Sequence, residues 1–123
     1  MNDKIADVIA EGREYIEKNG WWKNRLLGPN RKQACMLGGL LFSQSLGEQD
    51  LNTGSPRAVK VRLAMITVAQ TIKKHMSGDY CPNDHDSDTI THWNDHFAKD
   101  KQEVLDVLAK AEKIERAGYD PDA

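Results

Sequence analysis

The chain has 123 residues, of which 39% are hydrophobic, 29% charged and 7% aromatic, and its formal net charge is −2. This length suits one domain, because such a chain buries roughly two thirds of its unfolded surface in a single core, and the composition excludes disordered, collagen-like and disulfide-scaffold classes. No apolar run approaches the roughly 18 residues of a membrane span and the acidic start is unlike a signal peptide, so we expect a cytoplasmic protein that makes no membrane contact.

The first predicted element is an amphipathic helix over residues 2–18, whose apolar residues recur at helical spacing. Asn19-Gly20 provides the residues that commonly end a helix. Residues 21–35 have no helical period, and Gly28-Pro29-Asn30 is a strong turn signal within them. We therefore predict a short hairpin or irregular element after the first helix.

Two further helices are predicted in the middle of the chain. A short buried helix begins at Met36, and its Gly38-Gly39 pair indicates close packing, since glycine otherwise lowers helix propensity. A long central helix begins after the N-cap Ser55 and ends at Ser77-Gly78. It carries two apolar stripes, which indicates contacts on more than one side. The stripes are Val59, Leu63 and Ile66, beside Val61, Met65, Val68 and Ile72.

The last part of the chain predicts two more helices. A short one begins near Asp88, and a final one follows the capping box formed by Asp100 and Glu103 and ends at Gly118. The resulting fold class is mainly α, a small single-domain bundle of four or five helices over residues 1–118. Residues 119–123 are predicted to be a flexible tail.

Three short motifs occur in a fixed order along the chain. They are Gly20-Trp21, Cys35-Met36-Leu37-Gly38 and Trp93-Asn94-Asp95, the last leading into the acidic final helix. In these motifs the chain resembles a family of small uncharacterised proteins of bacteria and bacteriophages, a domain of unknown function. The resemblance covers residues 4–41 and 88–112. Gly39 stands where the family usually has alanine, and Ala98-Lys99-Asp100 where it has Gly-Arg-Thr. The resemblance implies a fold and a structural motif but no activity.

Charge is distributed unevenly along the sequence. Residues 18–78 contain ten Lys and Arg residues and two acidic ones, a net charge of +8, whereas residues 79–100 have a net charge of −5. In one interpretation, the acidic segments fold over the basic centre and the opposite charges pair within the protein. In the other, the basic segment binds nucleic acid or an acidic partner. The slightly negative total charge and the lack of a nucleic-acid motif favour the first interpretation. The candidate binding residues of the second are Arg57, Lys60 and Arg62, with Trp21 and Trp22 for base stacking.

Cys35 lies at the predicted start of a helix, where the helix dipole and free amides would lower the pKa of its thiol. A cysteine-dependent enzyme would also need a base and a group that orients it. The candidates for these roles are His92 or His96 as base and Asn94 or Asp95 as the orienting group. The simpler interpretation is an inert thiol packed near Gly38 and Trp93, because cysteine is among the most frequently buried residues.

The acidic loop over residues 79–88 raises the question of a metal site. Zinc sites usually contain closely paired ligands, which are absent here, and Thr89 occupies the position where a calcium loop needs glycine. We therefore predict no metal and no cofactor, and aspartates that are solvated or cap the next helix. The candidate ligands in this part of the chain are His75, Cys81, His85 and His92 for zinc, and Asp84, Asp86 and Asp88 for calcium.

The function predicted from these features is that of a small non-enzymatic binding protein. We expect a phage or prophage accessory factor that engages a host or other cellular protein, because no convincing catalytic constellation is present and the resemblance implies no activity. The alternatives are a nucleic-acid-binding protein that uses the basic segment 18–78, and a cysteine-dependent enzyme centred on Cys35.

Overall fold

The computed structural model of the protein describes residues 3–23, 33–76 and 85–117, with side chains from Ile5 onward. Within these ranges five α-helices and one short 3-10 helix form a small all-α bundle, which confirms the predicted fold class. These ranges contain no β-strand and no helix that is both long and apolar enough to cross a membrane. The helices are α1 (Asp3–Asn19), α2 (Met36–Phe42), α3 (Pro56–His75), α4 (Asp86–His96) and α5 (Lys101–Arg116), and the 3-10 helix spans Glu48–Asn52.

Side-chain hydrogen bonds define where α3 and α5 begin. Ser55 Oγ accepts a hydrogen bond from the N–H of Ala58 at 3.2 Å, as expected for an N-cap. Asp100 Oδ1 accepts from the N–H of Glu103 at 2.9 Å, and Glu103 Oε1 accepts from the N–H of Lys99 at 2.8 Å. The start of α5 therefore resembles a capping box, in which the N-cap residue and the third helical residue exchange hydrogen bonds. It differs in that Glu103 accepts from the N–H of Lys99, the residue before the N-cap Asp100.

Some predicted boundaries differ from the structure or fall outside the described residues. Helix α4 begins at Asp86, slightly earlier than the predicted Asp88. The helix ends predicted at Ser77-Gly78 and at Gly118, and the tail predicted over 119–123, lie outside the part of the chain that the structure describes.

The segment after α1 is irregular where it is described. Trp21 and Ala34 form an isolated parallel bridge, with hydrogen bonds from Trp22 N–H to Ala34 O (3.0 Å) and from Ala34 N–H to Gly20 O (3.1 Å). A hairpin would pair its two strands antiparallel. The described ends of this segment therefore match the predicted irregular element and not the hairpin. The turn predicted at Gly28-Pro29-Asn30 lies outside the described residues.

Helices α1 and α2 approach each other closely at two glycines. A Cβ atom added at Gly39 would lie 2.8 Å from the Ile16 side chain and 3.0 Å from the carbonyl oxygen of Gly12. A Cβ atom added at Gly12 would lie 2.8 Å from the Leu40 side chain. The missing side chains let the two backbones come together, which explains the glycine that the sequence places inside the short α2.

The core lies between α1, α3 and α5, with α2 and α4 packed at its sides. Its large side chains are fully buried and almost all aliphatic, with one indole and one methionine. They are Ile9, Ile16, Met36, Leu40, Leu41, Val61, Val68, Ile72, Ile90, Trp93, Val104 and Leu108.

Only one of the two apolar stripes of α3 enters this core. Val61, Val68 and Ile72 are fully buried and Met65 is nearly so. The other stripe, formed by Val59, Leu63 and Ile66, remains substantially exposed. Helix α3 contacts α1, α4 and α5, as the prediction of contacts on more than one side requires, but the described residues cover its second stripe only in part.

Replacing Trp93 by alanine should lower the free energy of unfolding by about 3–5 kcal/mol, because the indole is fully buried and its loss leaves a cavity. Chemical denaturation of the two proteins measures this difference. Phe97→Ala is the matched control, since Phe97 is 44% exposed and its truncation should cost about 1 kcal/mol or less. Equal effects of the two substitutions would contradict the placement of Trp93 in the core.

Candidate functional site

A buried carboxamide joins three parts of the chain. Asn94 is fully buried on α4, and its Oδ1 accepts hydrogen bonds from the indole Nε1–H of Trp21 at 2.7 Å and the N–H of Met36 at 3.0 Å. Its Nδ2 donates to the carbonyl oxygen of Trp22 at 3.1 Å and to Asp95 Oδ1 at 3.0 Å. Both ends of the carboxamide are therefore used to hold the segment after α1 and the start of α2 against α4.

The neighbouring Trp93 contacts a short polar chain at the junction of α3, α4 and α5. Its Nε1–H donates to the sulfur of Met76 at 3.2 Å, and its ring meets the imidazole of His75 edge-on at 5.8 Å. His75 Nε2 lies 2.8 Å from Glu103 Oε2, and His75 Nδ1 lies 3.4 Å from Lys110 Nζ. Trp93, His75, Glu103 and Lys110 therefore form one connected set of side chains at this junction.

Several influences act on the carboxyl of Glu103 in this chain. The largest single one is desolvation, which raises its pKa. Hydrogen bonds from His75 and from the N–H of Lys99, together with the positive charges of these two residues, outweigh it, and the net pKa is lowered. Glu103 is therefore held in its charged form, which also suits its place in the first turn of α5.

Cys35 is the N-cap of α2 and is only 2% exposed. Its sulfur accepts a hydrogen bond from the N–H of Gly38 at 3.3 Å. Burial raises the pKa of the thiol to about 11, although the amides of Gly38 and Leu37 act in the opposite direction, and the negative charge of Asp95 raises it further. The lowering that the sequence predicted from the helix start is thus outweighed by desolvation.

The two candidate bases lie at the surface. His92 and His96 are exposed on α4, and their ring centroids are 4.8 Å apart. The thiol of Cys35 is enclosed in the core, whereas a catalytic cysteine is a partly exposed thiolate at neutral pH. The geometry therefore favours the structural interpretation of Cys35 over the enzymatic one.

Among the described residues, no three His, Cys, Asp or Glu side chains come together as a metal site would require. His75 is engaged by Glu103, and His85 with Asp86 marks the start of α4. Of the remaining candidates, Asp88 and His92 are exposed on α4, and Cys81 and Asp84 lie outside the described residues.

The five residues predicted to bind nucleic acid fall on two separate elements. Trp21 and Trp22 belong to the segment held by Asn94, where the Trp21 indole is half-buried and has the Lys23 ammonium 5.3 Å from its ring centroid. Their use for base stacking would compete with the hydrogen bond from Trp21 to Asn94.

The three predicted cations all lie on α3. Arg57 is exposed and Lys60 partly exposed. The guanidinium of Arg62 donates to the carbonyl oxygens of Leu51 and Thr53, the latter at 2.8 Å, and so ties the 3-10 helix to α3. One of the three cations therefore has a structural role.

A second exposed feature of α3 is apolar. Val59, Leu63 and Ile66 are 38%, 46% and 40% exposed and recur at helical spacing on one side of the helix; we call them the open face of α3. A groove of about 440 Å³ runs beside them, between the 3-10 helix and the start of α4, and is also lined by Leu51 and Met65. The sequence identified this stripe, but periodicity alone could not show that it remains substantially exposed among the helices that the structure describes.

Two other cavities lie at helix pairs. One of about 740 Å³ between α1 and α5 is lined by side chains of both charges, and Lys101 Nζ there donates to the carbonyl oxygen of Glu17 at 2.9 Å. Another of about 320 Å³ lies between the C-terminal halves of α3 and α5 and is rich in cations.

We predict that Cys35 in the native protein reacts with iodoacetamide far more slowly than in the unfolded chain. Near neutral pH a thiol with a pKa of about 11 is a thiolate only about once in ten thousand molecules, and the surrounding core blocks the reagent. Mass spectrometry of the peptide that contains Cys35 separates its labelling from that of Cys81. Rapid labelling that is lost in His92→Ala or His96→Ala would instead identify a catalytic thiolate.

Asn94→Ala should lower the free energy of unfolding by about 3 kcal/mol, because it leaves the buried N–H groups of Met36 and Trp21 without an acceptor. Denaturant titration gives this value, and tryptophan fluorescence reports the release of the Trp21 indole. Asn52→Ala, at an exposed position of the 3-10 helix, is the matched control and should change stability by about 0.5 kcal/mol or less. A small effect at Asn94 would show that these donors have other acceptors.

Comparison with known proteins identifies a family for the chain. A model described as "Family of unknown function (DUF6197)" matches residues 1–114. No curated protein and no solved structure matches the chain. The matched range includes Asn94, its partners on the segment after α1 and on α2, and the open face of α3. The sequence resemblance to a domain of unknown function is thereby confirmed, and the chain belongs to the DUF6197 family of unknown function.

Proposed function

We propose that this protein is a small non-enzymatic binding protein that engages another protein through the open face of α3. The observation that carries this proposal is the exposure of Val59, Leu63 and Ile66, which are 38–46% accessible on a helix whose opposite side is fully buried. Isolated exposed apolar residues are common, but three on one side of one helix that line a groove together with Leu51 and Met65 are typical of an interaction surface.

Burial of these side chains supplies the driving force for binding. Each Å² of apolar surface removed from water contributes about 25 cal/mol, and aliphatic side chains at this spacing are the anchors of helix-in-groove recognition. The helix that presents them is fixed to α4, α5 and α1 on its other sides. A rigid scaffold keeps the entropic cost of binding low, since little of the surface must be ordered on association.

The chemistry of the other candidate sites supports binding rather than catalysis. The thiol of Cys35 is buried and has a raised pKa, and the carboxamide of Asn94 is occupied by hydrogen bonds within the chain. These polar groups stabilise the fold. Among the described residues, the exposed apolar side chains Val59, Leu63 and Ile66 do not contribute to the fold in this way.

The biological setting forms part of the same proposal and rests on the sequence. The resemblance supports a phage or prophage accessory factor, and the composition supports a cytoplasmic location. The partner would then be a host or other cellular protein.

Nucleic-acid binding is the second candidate, favoured by the five Lys and Arg residues of α3, which has no acidic residue. Phosphate contacts make such binding fall steeply with salt. Reversing the charges of Arg57, Lys60 and Arg62 would abolish it. Tight DNA or RNA binding near physiological salt that these reversals remove would replace the protein-binding proposal.

Leu63→Gln should reduce partner binding about tenfold, or by about 1.4 kcal/mol, with little change in stability because the residue is 46% exposed. The measurement is quantitative affinity capture from cells of the source organism, or its host, with wild-type and variant proteins immobilised at equal density. Phe97→Gln is the matched control, since Phe97 is a similarly exposed apolar residue outside α3. A partner recovered by wild type and by Phe97→Gln but lost with Leu63→Gln supports the proposal. Recovery of no protein that depends on Leu63 contradicts it.

A further inference from the structure

We infer that His92 and His96 form half of a zinc site, which a second copy of the chain completes. The site lies on α4, and the inference does not depend on the proposed function, which concerns α3. Three features support it: the separation of the two imidazoles, the acidic character of α4 and an exposed aromatic ring beside the pair.

The two imidazoles are neighbours on one side of α4. His92 and His96 are four residues apart at the end of this helix, and both are exposed. Their ring centroids are 4.8 Å apart, and the ring planes are inclined by 49°. Two imidazoles that bind one tetrahedral zinc ion through nitrogen atoms at about 2.0–2.1 Å have their centroids roughly 5 Å apart. The observed separation therefore suits the binding of one ion by both rings.

The chemistry of the pair selects the class of ion. Imidazole nitrogen is a ligand for zinc, copper and nickel, whereas magnesium and calcium prefer oxygen ligands. Helix α4 contains three Asp residues and no Lys or Arg, and the charges of Lys99 and Asp100, which follow it, offset each other. The negative charge of the helix attracts a divalent cation. Zinc is the ion that best fits, because it accepts four nitrogen or sulfur ligands in a tetrahedral arrangement.

One chain supplies only part of such a site. A structural zinc ion has four ligands, and within the described part of the chain no third His, Cys, Asp or Glu side chain joins His92 and His96. A second copy, related by a two-fold axis through the ion, brings the same two imidazoles and completes the four ligands. This inference departs from the sequence-based prediction of no metal, because that prediction considered ligands from one chain only.

An exposed aromatic ring beside the pair supports the approach of a second copy. Phe97 directly follows α4 and is 44% exposed, and its ring centroid lies 5.6 Å from that of His92. Two copies joined at His92 and His96 would bring their Phe97 rings into the same contact area, where apolar surface is removed from water. Without the ion, the acidic α4 helices of two copies repel each other. Association of the two copies should therefore depend on zinc.

The inference is tested by measuring the mass of the protein in solution with zinc, with magnesium and with EDTA. Analytical ultracentrifugation should show a dimer with zinc and a monomer with magnesium or EDTA, because imidazole is a poor ligand for magnesium. A zinc titration should show one ion for two chains. His92→Gln and His96→Gln should each abolish the dimer and weaken zinc binding about tenfold or more, since loss of a group that merely supports a ligand already costs about 10–100-fold.

His85→Gln and Cys81→Ser are the matched controls, because each removes another candidate zinc ligand outside the pair. Both variants should bind zinc and form the dimer as the wild type does. Failure of the wild type to bind zinc would overturn the inference, and so would one ion bound by each monomer. A dimer that persists in EDTA, or in both His92→Gln and His96→Gln, would also overturn it. Loss of zinc binding in either control would assign the ion to a different site.

Discussion

The hydrogen bonds of the Asn94 carboxamide are the interaction on which the arrangement of this bundle depends. Burying an amide without partners costs several kcal/mol, on the order of 2–7, and here its oxygen and its nitrogen both have partners from the segment after α1 and from the start of α2. An apolar residue of the same size would fill the space but would leave those backbone and indole groups unsatisfied. Asn94 thus specifies how α4 meets the first third of the chain.

The position of α4 in turn shapes the surface that we propose for partner binding. Helix α4 packs against α3 as well as α2, and its first residues form one wall of the groove next to Val59, Leu63 and Ile66. The opposite wall depends on Arg62, whose aliphatic stem and guanidinium connect α3 to the 3-10 helix. The hydrogen bonds of Asn94 and Arg62 therefore fix the positions of the two walls of the groove beside the open face of α3.

Local signals made much of the fold predictable from the sequence. Ser55 and the Asp100–Glu103 box marked two helix starts because a cap acts within a few residues. The partners of Asn94 were out of reach, since periodicity carries no information about contacts between residues far apart in the chain. For Cys35 the sequence indicated two opposing influences on the pKa of the thiol, a helix start that lowers it and burial that raises it, and the structure shows that burial outweighs the helix start. From the sequence, Leu63 was expected to make contacts within the fold, because an apolar stripe has the same pattern whether or not other elements bury it.

The contacts of Asn94 also have a consequence for the order in which the chain can fold. Its partners Trp21 and Met36 precede it by 73 and 58 residues, so these bonds close long loops, and such closures slow folding. During synthesis the ribosome releases α1 and α2 well before α4. Until residue 94 has emerged, the indole of Trp21 and the amide of Met36 must remain bonded to water, and the first two helices cannot complete their native packing. A cut between α2 and α4 would place these donors and their acceptor on separate fragments, so the N-terminal third alone lacks the acceptor that its indole and amide use in the whole chain.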